Sequence, residues 1–162
     1  MNRRTIIQGL AGAAGLFLGL RVARPGTPAP GIGKISRSDD EWRKLLTGPQ
    51  YDVLRQEGTE APFTSPLNDE HRPGTFVCAG CGLALFPSKF KFDSGTGWPS
   101  FYDVLPGHAE FKKDYRLVLP RTEYHCARCG GHHGHVFDDG PPPTGLRYCN
   151  NGVALGFIPD KA

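Results

Sequence analysis

Between Ser38 and Gly58 the apolar residues recur at helical spacing. Ser38-Asp39-Asp40-Glu41 reads as a capping box, with a hydroxyl at the N-cap, a carboxylate three residues on and acids in the first turn. Trp42, Leu45 and Leu46 then give one apolar face, and Gly48 is expected to end the helix. Pro49 suits the first position of a second helix, with Tyr51, Val53 and Leu54 inside it and Gly58 closing it. Downstream the period changes. Apolar runs of strand length occupy Thr75–Cys78, Ala84–Phe86, Ala109–Phe111, Arg116–Leu119, Glu123–Cys126, His135–Phe137, Leu146–Asn150 and Val153–Ile158, separated by Gly, Pro and Asp. The fold class predicted is α+β, mainly β: two N-terminal helices packed on small, bent antiparallel sheets.

The start of the chain has a different character. Thr5 to Leu20 carries no charge and is flanked by Arg3-Arg4 and Arg21. It is too short and too Gly-rich for a spanning helix, which needs ~20 apolar residues. A basic segment followed by an apolar one reads as a secretory signal, and the paired arginines point to twin-arginine export. An ordinary secretory signal and a retained anchor are the alternatives. Residues 1–24 are therefore expected to be an export signal, 25–37 a flexible Pro- and Gly-rich spacer, and 38–162 the folded domain. The expected location is the bacterial periplasm, with a mature form that does not span the membrane.

Composition narrows the class. The 162 residues include 22 Gly and 15 Pro without a strict Gly period, which excludes collagen, and 10 Phe, 5 Tyr and 2 Trp weigh against disorder. The formal charge of +3 is misleading. Arg3, Arg4, Arg21 and Arg24 stand in the leader with no acid beside them, so residues 25–162 hold 15 basic and 16 acidic side chains. A nucleic-acid partner is not expected without a basic footprint there.

Cys78-Ala79-Gly80-Cys81 and Cys126-Ala127-Arg128-Cys129 are matched CxxC units, each followed by glycine. Two such knuckles supply four thiolates to one tetrahedral Zn²⁺, a closed and hence structural site. Two disulfides or a redox CxxC are the competing readings. The fifth cysteine, Cys149, stands in Arg147-Tyr148-Cys149-Asn150-Asn151. Strand alternation places Arg147, Cys149 and Asn151 on one face, where a guanidinium favours the nucleophilic thiolate. A packed structural cysteine is the alternative. His132-His133-Gly134-His135 follows the second knuckle and offers proton donors. Trp98, in a Gly-rich loop, either walls an apolar pocket or fills the core.

The stretches Tyr51–Arg55, Gly58–Phe63, Cys78–Cys81, Lys91–Phe101, Cys126–Cys129, Gly134–Phe137 and Arg147–Cys149 occur in one order over roughly residues 38–158. Together they resemble the B-type methionine-R-sulfoxide reductase family. The resemblance implies a β-tent-like arrangement of sheets with a structural zinc and a catalytic cysteine. It carries the nucleophile to Cys149, substrate contact and proton donation to His132 and His135, the methyl pocket to Trp98 with Phe137, and supporting roles to Asn151 and Arg147. It implies thiol-dependent reduction of methionine-R-sulfoxide, free or in oxidised proteins, through a Cys149 sulfenic acid. Many members carry a second redox cysteine in the Gly95–Gly97 loop; here that position holds Thr96. With four cysteines assigned to zinc, a thioredoxin-like protein or another external thiol must regenerate Cys149. Plain alternation would put His133, not His132, on the face of His135. His133 and Asn150 occupy positions expected to be apolar, and Gly152 one expected to be serine.

Overall fold

The structure, a computed structural model, describes residues 29–116 and 119–161. The expected export signal lies outside the described residues. The spacer expected over 25–37 is laid along the domain from Ala29 onward: Ala29 N–H donates to the Gly107 carbonyl, Ile35 N–H donates to the Arg128 carbonyl at 2.8 Å, and Ile32 and Ile35 pack on the core.

Helix α1 spans Asp39–Leu45 and α2 spans Gly48–Gln56. Both begin with complete capping boxes, Ser38 with Glu41 and Thr47 with Gln50, each worth ~1 kcal/mol. The second box corrects the expectation for Gly48, which opens α2 rather than closing α1. Leu45 is also corrected. The inward stripe runs through Trp42 and Leu46, whereas Leu45 points to solvent. At the end of α2 the left-handed residue is Glu57 (φ 56°), not Gly58. A Cβ at 58 would lie 2.1 Å from the Asp52 carboxylate, which would have to swing aside.

Among the described residues nine strands follow: β1 Gly74–Cys78, β2 Ala84–Pro87, β3 Lys91–Phe92, β4 Ser100–Phe101, β5 Ala109–Asp114, β6 Arg121–Cys126, β7 His132–Phe137, β8 Arg147–Asn150 and β9 Leu155–Pro159. They form two antiparallel sheets, one ordered β2-β1-β9 and the other β3-β4-β8-β7-β6-β5. The mainly β, α+β expectation holds. The two-residue strands β3 and β4 were too short to give a period. Arg116 and Leu119, the described ends of one expected strand, are bends. The strand stops instead at Asp114, whose carboxylate captures the Arg116 N–H at 2.9 Å and turns the chain. Residues 152–154 form a single 3₁₀ turn before β9, since the Glu60 carboxylate accepts the N–H groups of Gly152 and Val153.

The core is aromatic. Phe76 of β1 and Phe86 of β2 meet Phe101 of β4 at ring separations of 4.9 and 4.2 Å, and Tyr124 and Tyr148 extend the cluster across the second sheet. Such pairs add ~0.5–1.5 kcal/mol each beyond their buried area. Among the described residues no helix is long and apolar enough to cross a membrane.

Candidate active site and metal centre

Cys78 ends β1 and Cys126 ends β6, and both chains then make the same turn. Gly82 N–H donates to the Cys78 carbonyl and Gly130 N–H to the Cys126 carbonyl, each at 2.8 Å. Both turns require the left-handed conformation at the following residue (Gly82 φ 71°, Gly130 φ 69°), which is why each CxxC is followed by glycine. The four sulfurs lie within 4.8 Å of one another and none is disulfide-bonded. The gaps Cys78–Cys129 and Cys81–Cys126 are 3.6 and 3.5 Å. A tetrahedron with ~2.3 Å metal–sulfur bonds has edges of about 3.8 Å, so the donor set fits a structural zinc. Helix α2 covers the centre: Arg55 donates to the Cys129 carbonyl at 3.1 Å, and Leu54 lies against Gly131.

The histidines are sorted by a β-bulge. On the β6–β7 ladder Tyr124 faces Gly134 while His125 faces His132, so His133 is the extra residue. The insertion reverses the alternation. His132 and His135 share a face, with ring centres 5.5 Å apart, and His133 turns into the core against Tyr124. Gly134 is required by close approach, since a Cβ there would meet the Cys149 carbonyl oxygen at 2.0 Å.

On the next ladder His135 lies directly opposite Cys149. Both open into a cleft of about 140 Å³ whose walls include Trp98, Phe137, Asn151 and Thr59. Trp98 is half-buried rather than a core residue, and its indole N–H donates to the Glu60 carbonyl at 3.1 Å. Arg147 is fixed by a two-pronged pair with Asp139 at 2.8 and 2.9 Å and stacks on Phe137. His132 does not line the cleft. It is 1% exposed and lies behind His135, beside Glu123.

The charges are set by burial. It pushes the Cys149 thiol up, and the opposing pull of Arg147 and of the Thr96 hydroxyl does not overcome it. Arg147 acts in the direction anticipated, but the resting thiol is not lowered. Burial lowers His132 to about 4, helped by His125 and His135. It also lowers His135, against a hydrogen bond from Nε2 to Asp114 at 2.8 Å. Near neutral pH both rings are uncharged. Asp114 is held well down by the Arg116 N–H, His135 and Arg121.

Three organising residues escaped the sequence reading. Asp114 orients His135. Glu60 holds the turn after Cys149 through Gly152 and Val153, and its N–H donates to Asn151 Oδ1 at 3.0 Å. Glu123 underlies His132. Asn151 spends its amide on Glu60 and on the His133 carbonyl, so it fixes the cleft wall and the bulge together.

Residues 46–159 match the SelR domain. The chain is 56% identical over 129 residues to a peptide methionine sulfoxide reductase MsrB of Leifsonia xyli, covering 78% of this chain and 93% of that protein. It is 50% identical over 129 residues to the protein of the same name from Methanosarcina mazei, covering 79% and 92%. With its namesake in Leptospira interrogans it shares 52% over 125 residues, covering 76% and 95%.

Proposed function

The chain belongs to the SelR-domain, MsrB family of oxidoreductases, and from that premise we propose that it reduces methionine-R-sulfoxide, free or in oxidised proteins, through Cys149. The observation that carries this reading is the cross-strand pair Cys149–His135, open to a cleft walled by Trp98 and Phe137 and separate from the four clustered cysteines.

Trp98 and Phe137 receive the methyl group of the sulfoxide and so select its hand. The Cys149 sulfur attacks the sulfoxide sulfur, and His135, held by Asp114 through Nε2, takes the thiol proton on its other ring nitrogen and passes it to the oxygen as the oxygen's bond to sulfur weakens. His132 acts through His135. The protonated oxygen then moves to the Cys149 sulfur as the new sulfur–sulfur bond breaks, so Cys149 becomes a sulfenic acid and the methionine sulfur, reduced by two electrons, leaves as the thioether. One external thiol then displaces water from the sulfenic acid and a second cleaves the mixed disulfide, restoring the Cys149 thiol. A thioredoxin-like protein or another thiol fills that role. A zinc ion held by Cys78, Cys81, Cys126 and Cys129 cross-links the two sheets when bound and supplies no reactive position. The paired Arg3-Arg4 before an uncharged stretch supports delivery to the periplasm by twin-arginine export; Arg3→Lys with Arg4→Lys in the full chain should then hold it in the cytoplasmic fraction, and unchanged export would exclude that route.

Separated R and S epimers of methionine sulfoxide, assayed with dithiothreitol as reductant, test the main reading. The R epimer alone should turn over, and Cys149→Ser should abolish the reaction with zinc content unchanged. Turnover of the S epimer, or by the serine variant, would refute the assignment.

A further inference from the structure

Behind His135 the bulge assembles a second set of metal donors. Glu123 and His125 stand two apart on β6 and so share a face, and the shifted register puts His132 opposite His125. Their donor atoms lie within 4.8 Å of one another. We propose that Glu123, His125 and His132 form a second divalent-metal site, a two-histidine, one-carboxylate set suited to Zn²⁺ or a similar first-row ion.

The orientation of the imidazole rings supports this. His125 Nδ1 faces the Gly130 carbonyl at 3.2 Å, which orients the ring so that Nε2 points toward Glu123, 3.5 Å from Oε1. A backbone carbonyl on the far nitrogen is the usual support of a metal-bound imidazole. His132 Nδ1 lies 3.2 Å from Glu123 Oε2. Neither His125 Nε2 nor His132 Nδ1 has a well-aligned hydrogen bond, although both are buried. Ligands at ~2.0–2.1 Å around a tetrahedral ion are ~3.3 Å apart, and these gaps bracket that spacing. Glu123 is almost wholly buried, and without a metal its charge is met by Lys112 at 2.8 Å. Lys112 also reaches Glu57 at 3.2 Å, so it has a second partner to retain when a cation takes Glu123. The set holds no thiolate and leaves a coordination position for water, which separates it from the four-cysteine centre.

Cobalt titration of the zinc-loaded, reduced full-length chain tests the site by a readout independent of reductase activity. One further equivalent should bind, giving weak visible d–d bands without thiolate charge transfer. His125→Gln alters the most exposed of the three donors and so disturbs the fold least; it should weaken that equivalent by more than ~10-fold. Lys112→Met should strengthen it by removing the competing ammonium. The proposal is overturned if no further equivalent binds, if the added absorption has thiolate character, or if His125→Gln binds as tightly as the parent chain.

Discussion

His133 and Asn150 meet in the core, Nδ1 to Oδ1 at 3.3 Å, at two positions where the family resemblance calls for apolar side chains. Each departure supplies the other's partner. The match is incomplete, since His133 Nε2 and Asn150 Nδ2 are buried without hydrogen bonds. Replacing one residue alone strands the other. His133→Leu and Asn150→Leu should each cost ~1–3 kcal/mol, whereas the double variant should be neutral or more stable than the parent. Urea denaturation of the four proteins measures the coupling; additive losses would show that the pair is not a unit.

Gly152 and Ser65 are related in the same way through space. A Cβ at 152 would lie 1.8 Å from the Ser65 hydroxyl oxygen. The room for the serine expected at 152 is already taken by a serine from the loop before β1. Gly152→Ser should destabilise by ~1–3 kcal/mol through overpacking, and adding Ser65→Gly should recover most of it. Thermal unfolding of the single and double variants decides the point.

The four-cysteine centre joins the end of β1 to the end of β6, so it ties one sheet to the other. Cys126→Ser should lower zinc content by one equivalent and abolish cooperative unfolding, because structural zinc contributes folding energy directly, ~10–16 kcal/mol in finger peptides. Native mass spectrometry with near-ultraviolet circular dichroism measures both. A well-folded, metal-free serine variant would make the centre dispensable.

What could be read from the chain follows from how local each signal is. The capping box at Ser38–Glu41 and the two glycine-closed knuckles lie within five residues, and they folded as read. His132 was different. Alternation gave the wrong face, and only the register against β6 shows the bulge that turns it. Asp114 reaches His135 across 21 residues, and Glu60 reaches Gly152 across 92. No periodicity encodes such pairs. Arg147 was placed correctly beside Cys149, but its effect on the thiol depended on burial, which the sequence does not state.

Burial of Cys149 has a kinetic consequence. Its thiol is raised above the ordinary cysteine value, so the nucleophilic thiolate is scarce near neutral pH and grows as pH rises. Alkylation of Cys149 by iodoacetamide, followed by peptide mass spectrometry, should have its inflection above that of a free cysteine. Arg147→Met removes the largest opposing pull and should move the inflection further up. An inflection below the free thiol's would mean that the guanidinium prevails over burial.

The Thr96 hydroxyl, hydrogen-bonded to Ser94 Oγ at 2.8 Å, lies near enough to favour the Cys149 thiolate, in a loop pinned where the Gly97 carbonyl accepts from Phe63 N–H at 2.7 Å and Asn68 Nδ2 at 3.1 Å. That position holds the second redox cysteine in many members of the family. In this chain a single turnover without reductant should therefore stop at the sulfenic acid, and dimedone should label Cys149. Thr96→Cys restores a thiol where the hydroxyl now lies. After one turnover its sulfur should displace water from the sulfenic acid, giving a 96–149 disulfide and abolishing dimedone labelling. Peptide mapping under non-reducing conditions distinguishes the two products. Persistent labelling of the cysteine variant would show that the loop does not bring residue 96 onto the reacting sulfur, and that loss of the second cysteine is not the sole reason an external thiol is needed.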